Sequence, residues 1–133
     1  DYLKEDLIVI NGDLITDIEF KNILDFHESE KSKFTVVVRQ YNYQVPFGVV
    51  NIIKNVIHSI DEKPIISNFV NAGIYVLSPS SLKFLKHNKK IDMTDYIKVI
   101  MEKGIKVNAF PLWEKWIDIG RKDELFKAIK NDK

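Results

Sequence analysis

The spacing of apolar and polar positions changes several times along the chain, and each change marks an element. Leu7, Ile8, Val9 and Ile10 form an unbroken apolar run that stops at Asn11-Gly12-Asp13. A short continuous run bounded by a turn signal reads as a strand buried on both faces, as in parallel sheets. Over residues 19–31, Phe20, Ile23, Leu24 and His27 fall at helical spacing with polar residues between them, and Asp17 is placed as the N-cap. Residues 34–39 (Phe-Thr-Val-Val-Val-Arg) return to a β-rich run. Strand, helix and strand in that order predict a right-handed βαβ unit. Residues 40–46 read as a polar, aromatic connection.

The second half begins with Gly48-Val49-Val50-Asn51-Ile52-Ile53, a predicted strand, and residues 56–61 follow as its hairpin partner or a short extension. In Glu62-Lys63-Pro64 the proline biases Lys63 toward an extended backbone. Residues 69–77 (Phe-Val-Asn-Ala-Gly-Ile-Tyr-Val-Leu) are the clearest strand of this half. Ser78-Pro79 predicts a helix through about Leu85, with serine as cap and proline at the first helical position. Asp92 begins another helix, with Asp95 three residues on in a near capping box and Gly104 closing it. Its expected buried face is Met93, Tyr96, Ile97, Ile100 and Met101, a core stripe. Residues 106–110 predict a strand, Trp116-Ile117-Asp118 a short one, and residues 121–130 a final amphipathic helix.

Composition narrows the classes. At 133 residues and 45% hydrophobic, the chain can bury one ordinary core. Twenty basic residues against nineteen acidic give no sign of nonspecific binding to nucleic acid or to an anionic membrane. Without cysteine, disulfides and thiolate zinc sites are excluded. His27, His58 and His87 lack metal-ligand spacing and read as surface residues. No apolar stretch approaches the roughly 20 residues that cross a bilayer, and no secretory leader is visible. A soluble cytoplasmic protein is the default expectation. The chain opens without methionine and almost directly on a strand that needs partners on both sides. It therefore reads as part of a larger domain.

Open α/β sheets bind ligands at the carboxyl ends of their strands. Asp13, delivered there by an Asn-Gly turn, is placed to hold a metal, or else to cap the next helix. Asp118, in Trp116-Ile117-Asp118-Ile119-Gly120, repeats that context. The two could meet across a cleft and share one Mg²⁺, which prefers hard oxygen ligands and few protein ligands beside substrate phosphates. Lys63, with Glu62 beside it, can serve as a point charge for a phosphate, though exposed lysines are common. Gly48 lets a ligand approach the backbone or marks a bulge. Asn71, in an otherwise apolar strand, is expected to be a buried amide needing a partner, either a ligand hydroxyl or the backbone.

In order, Leu7-Ile8-Val9-Ile10-Asn11-Gly12-Asp13, Phe47-Gly48-Val49-Val50, Glu62-Lys63-Pro64, Val70-Asn71-Ala72-Gly73-Ile74-Tyr75-Val76 and Trp116-Ile117-Asp118-Ile119-Gly120 resemble the sugar-1-phosphate nucleotidylyltransferases. The likeness is to the mannose-1-phosphate guanylyltransferase and glucose-1-phosphate thymidylyltransferase group, and it runs from about Leu7 to Ala128. It implies an α/β fold with a Rossmann-like mixed, mostly parallel sheet flanked by helices. It implies that Asp13 and Asp118 bind a catalytic Mg²⁺, and that Lys63 contacts the sugar phosphate. It further implies that Gly48 offers its backbone N–H to the sugar, and that Glu62 and Asn71 bind the sugar. The implied reaction is in-line attack by a sugar-1-phosphate oxygen on the α-phosphorus of an NTP, expelling pyrophosphate. Positioning and charge neutralisation suffice for it.

Two departures qualify the resemblance. The family's Gly-Gly-x-Gly-Thr-Arg-Leu-x-Pro loop, which cradles the triphosphate, is absent from these residues. The chain is thus expected to be the C-terminal portion of the domain, lacking the N-terminal βαβ portion, holding the sugar half of the site and catalytically inert alone. Second, Arg121-Lys122 follows Asp118-Ile119-Gly120 where many relatives have Thr-Pro. A non-catalytic nucleotidyltransferase-like binding or regulatory module is the first alternative, and its mark would be loss of a metal aspartate. A metal-dependent glycosyltransferase is the second, but the Asp-x-Asp it expects is missing at Asn11-Gly12-Asp13-Leu14-Ile15. An exposed sheet edge could also pair copies into a homo-oligomer.

Overall fold

The computed structural model describes residues 4–120, so the helix expected at 121–130, with Arg121 and Lys122, lies outside the described residues. Its main sheet contains β1 (Leu7–Ile10), β3 (Phe34–Gln44), β6 (Ile65–Leu77) and β7 (Val107–Leu112) in the order β1-β6-β3-β7. β6 is antiparallel to both β1 and β3, while β3 and β7 are parallel. Three of the four strands therefore run the same way, and the mixed sheet bears out the α/β expectation. Helix α1 (Phe20–Ser29) lies between β1 and β3 in sequence, as a βαβ unit requires, but β6 is inserted between the two strands.

Burial corrects the reading of β1. Its residues are half-buried or exposed, and β6 is its single neighbour among the described residues. The strand buried on both faces is the second half of β6. Ala72, Ile74 and Val76 face a cluster with Ile18, Ile23, Val37 and Leu112 on the α1 side. Tyr75 and Leu77 face a second cluster with Phe34, Val36, Tyr96 and Ile100. The latter pair comes from α3 (Met93–Glu102), so alternate β6 side chains serve the two layers. α3 ends as expected at Gly104, whose φ of +73° suits glycine. Met101, however, is exposed and does not belong to the buried stripe.

Other boundaries shift for local reasons. Asp17 does not cap α1: its N–H donates to the Lys115 carbonyl at 3.1 Å, so the chain stays extended and Glu19 takes the N-cap position. Beyond Ser78, α2 is only Pro79–Leu82, and three-residue turns continue it to Leu85. β3 runs on through residues 40–44, expected as a connection, because β6 also starts earlier and pairs with it from Gln44↔Ile65. The strand β4 (Val49–Ile53) and its partner β5 (Val56–Asp61) form the expected hairpin, with exposed side chains throughout. Among the described residues, no helix is long and apolar enough to cross a membrane.

Candidate functional site

Asp13 and Asp118 are brought together by a two-stranded ladder, β2 (Leu14–Thr16) with β8 (Trp116–Asp118), in which Leu14 pairs with Asp118. Asp13 stands one residue before β2 and Asp118 ends β8, so both carboxylates leave the same end of the ladder. The Ile119 N–H adds a bond to the Asp13 carbonyl at 2.9 Å. A methyl carbon placed on Gly120 would stand 2.8 Å from Asp13 Oδ2 and 3.0 Å from Asp118 Oδ1. The two carboxylates thus converge on one bare α-carbon. The Gly120 N–H also donates to Asp118 Oδ1 at 3.0 Å and fixes that side chain.

The ladder is tied to the main sheet from both strands. The Trp116 indole N–H donates to the Ala72 carbonyl at 2.8 Å, and Arg39 Nη1 donates to the Trp116 carbonyl at 2.8 Å. The Arg39 guanidinium also lies over the Trp116 ring, 5.1 Å from its centre. On the β2 side, in the turn that leads into that strand, the Asn11 N–H donates to the Gly73 carbonyl at 2.9 Å.

Asn71 lies near this end of the sheet but is exposed, which corrects the expectation of a buried amide. Its partners are internal. Oδ1 accepts from the Gly73 N–H at 2.9 Å and Nδ2 donates to the Tyr75 hydroxyl at 2.8 Å. The backbone alternative therefore accounts for its carbonyl, and one amide hydrogen is left over.

Gly48, Glu62 and Lys63 form a second group where the hairpin joins β3 and β6. Glu62 Oε2 lies 3.0 Å from where a Cβ on Gly48 would stand, so glycine leaves room for that carboxylate against the strand. Lys63 is not extended: its φ is +45°, and its carbonyl accepts from Gln44 Nε2 at 3.1 Å. The turn that returns the chain into β6 overrides the bias from Pro64. Asn71 lies six steps along β6 from Ile65, a path of about 20 Å along a strand. The described contacts join Gly48 to Glu62 and Asp13 to Asp118, and do not bridge the two groups.

His27 is not a surface residue. It is 1% exposed, and its Nδ1 meets Thr35 Oγ1 at 2.7 Å. Among the described residues its Nε2 has no hydrogen-bond partner, and Asp6 Oδ2 stands 3.7 Å away. Burial lowers its pKa, with the Asp6 carboxylate acting in the opposite sense. His58 and His87 are exposed as expected.

The donor set suits a hard cation. Two carboxylates share a cradle that a single methyl would fill, and among the described residues no group of three acidic, histidine or cysteine side chains forms. Mg²⁺ takes few protein carboxylates and completes an octahedron with water and phosphate. Gly120, Trp116 and Gly73 lie inside the sequence motifs with no functional role legible from the sequence alone, and Arg39 lies outside them. The one legible signal was Gly73 inside a strand pattern, which points to a bulge.

The family description of nucleotidyl transferases matches residues 2–133. The chain is similar to the mannose-1-phosphate guanylyltransferase catalytic subunit beta of Danio rerio, 32% identical over 130 residues, covering 95% of this chain and 36% of that protein. It is also similar to the mannose-1-phosphate guanyltransferase of Aspergillus fumigatus, 33% identical over 118 residues, covering 85% of this chain and 32% of that protein. The crystal structure of HddC from Yersinia pseudotuberculosis superposes with a TM-score of 0.67 at 24% identity, covering 99% of this chain and 58% of that one. The chain thus spans about a third of the length of these curated relatives and somewhat over half of HddC.

Proposed function

Since the chain belongs to the nucleotidyl transferase family, we propose that it supplies the metal-binding and sugar-phosphate side of a site that joins an NTP to a sugar 1-phosphate. The observation that carries this reading is the convergence of the Asp13 and Asp118 carboxylates on Gly120. A sugar-1-phosphate oxygen attacks the α-phosphorus of the NTP, the new P–O bond forms as the bond to the β-phosphate breaks, and pyrophosphate leaves. When bound, Mg²⁺ supplies neutralisation of phosphate charge at the two aspartates.

The chain's own residues do the rest by binding and orientation. Asp13 and Asp118 hold their oxygens in place before substrate arrives, since the β2–β8 ladder and the Gly120 N–H fix them. Glu62 accepts hydrogen bonds from sugar hydroxyls, and the Gly48 backbone N–H donates to the sugar. Lys63 sets a cation against the sugar phosphate. The leftover amide hydrogen of Asn71 reaches a sugar oxygen. This cytoplasmic chemistry requires a triphosphate cradle that these residues do not contain, so the 133-residue chain alone does not release pyrophosphate.

The test is metal and substrate binding by the purified chain. Mn²⁺ is expected to bind and broaden resonances of residues near Asp13 and Asp118, and Asp13→Asn or Asp118→Asn is expected to abolish that effect. Mannose 1-phosphate, the probe suggested by the relatives' names, is expected to bind more tightly with the metal present. Mn²⁺ binding that is indifferent to both substitutions would sink the reading. Retention of both aspartates favours this enzyme portion over a non-catalytic module.

A further inference from the structure

β6 is not a continuous partner of β3. Val36 pairs with Tyr75 and Val38 with Asn71, so two steps along β3 answer four along β6. The excess is a bulge over residues 72–74, with Gly73 at its centre at a φ of +74°. Asn71 closes this bulge from below through its bond from the Gly73 N–H, and Tyr75 holds the other end of the Asn71 amide. Tyr75 is itself 3% exposed and packed against Phe34 at 6.5 Å between ring centres, so the bulge is anchored in the core.

The outer side of the bulge meets the turn that carries Asp13. The Gly73 carbonyl accepts the Asn11 N–H, and the Asn11 side chain fills the space a Cβ on Gly73 would need. Such a Cβ would lie 2.6 Å from Asn11 Nδ2, 2.9 Å from Asn11 Cγ and 3.1 Å from Leu14 Cδ1. Those contacts bracket Asp13 in sequence. A displacement of Asn11 and Leu14 therefore moves the carboxylate between them, and with it the bond from Ile119 that aligns Asp118.

We infer that Asn71, Gly73 and Tyr75 form a positioning device on β6 that seats the Asn11–Leu14 turn and so sets the gap between the two aspartates. The inference rests on the proposed role of Asp13 and Asp118 for its functional meaning, but its geometry can be tested without that role. It assigns Asn71 a task in the unliganded protein distinct from sugar contact.

The experiment is residue-resolved hydrogen exchange on the 133-residue chain. In Gly73→Ala, the Asn11 and Ile119 amides are expected to exchange about tenfold faster, while the amides of α3 keep their protection. Tyr75→Phe, a milder change that frees only the Asn71 amide, is expected to speed the same two amides about threefold. Adding Asn11→Ala to Gly73→Ala removes the colliding amide, though not the strain of alanine at a positive φ, and is expected to restore part of the Ile119 protection, which a general loss of stability would not do. Unchanged exchange at both amides in Tyr75→Phe would overturn the inference. So would uniform acceleration across the chain in Gly73→Ala, or failure of Asn11→Ala to compensate. Mn²⁺ broadening recorded on the same samples is expected to weaken in step with Ile119 protection. Wild-type chain that binds no Mn²⁺ but shows the exchange pattern would defeat the metal reading and leave the positioning device standing.

Discussion

Arg39 grips Trp116 twice, through a 2.8 Å hydrogen bond to its carbonyl and through its guanidinium lying 5.1 Å from the centre of the indole. Because Trp116 begins the strand that ends at Asp118, this contact fastens one arm of the candidate metal site to β3. Arg39→Ala removes a charge-assisted hydrogen bond and a cation–π contact together. It is expected to cost about 2 kcal/mol, read as a lower urea midpoint with an unchanged slope. Arg39→Lys keeps the charge but loses the planar fork, so an intermediate loss is expected. A midpoint unchanged in both variants would show that β8 is held elsewhere.

The β4–β5 hairpin closes through Lys54 and Asn55, both with positive φ, at +47° and +66°. This is the geometry of a two-residue type I′ turn, which Asn-Gly fits better than Lys-Asn. Replacing the pair, Lys54→Asn with Asn55→Gly, is expected to stabilise the hairpin by about 0.5–1 kcal/mol. Since the hairpin is exposed throughout, the gain belongs in local amide protection at Ile53 and Val56 more than in the global midpoint. Equal or lower protection at those amides would contradict the turn assignment.

His27 couples stability to pH. Its folded pKa lies below the ordinary imidazole value of 6.5, because burial disfavours the cation more than the Asp6 carboxylate favours it. The folded state therefore binds a proton less readily than the unfolded chain. The stability this contributes is complete above the unfolded pKa and is lost as pH falls below it. Urea midpoints are expected to decline from about pH 7.5 to about pH 5, with part of that slope missing in His27→Gln. A slope that survives intact in His27→Gln would assign the effect to other groups. The same buried imidazole explains one failure of sequence reasoning: a histidine at a helical apolar position was read as surface, whereas Thr35 on the facing strand supplied the partner that lets it be buried.

Local signals carried much of the fold and the order of the site. Continuous apolar runs marked β1 and the second half of β6, and the Asn-Gly-Asp and Trp-Ile-Asp-Ile-Gly segments marked the two strand ends that do meet. What could not be read was pairing. No local pattern says that β6 is inserted between β1 and β3, that residues 40–44 find strand partners in 65–69, or that Asp17 is claimed by Lys115 before it can cap a helix. Those outcomes depend on contacts distant in sequence. The Lys63 backbone is a similar case, since the need to return the chain from the hairpin into β6 outweighs the local preference set by Pro64.

Gly120 gives the sharpest test of the metal cradle, because its chemistry is only the absence of a side chain. Its φ is not in the left-handed region, so alanine there meets no backbone penalty, and any effect must come from the added methyl. That methyl would press on Asp13 Oδ2 and Asp118 Oδ1 at 2.8 and 3.0 Å, forcing both carboxylates apart. Gly12 supplies the control, since a Cβ there meets nothing within 4 Å among the described residues and its φ is likewise not positive. Gly120→Ala is expected to weaken Mn²⁺ binding by about tenfold or more, on the scale of losing well-placed ligand geometry. The thermal midpoint is expected to change little. Gly12→Ala is expected to alter neither. Equal Mn²⁺ affinity in the wild-type chain and Gly120→Ala would mean that the two carboxylates do not share a cation, whatever each does alone.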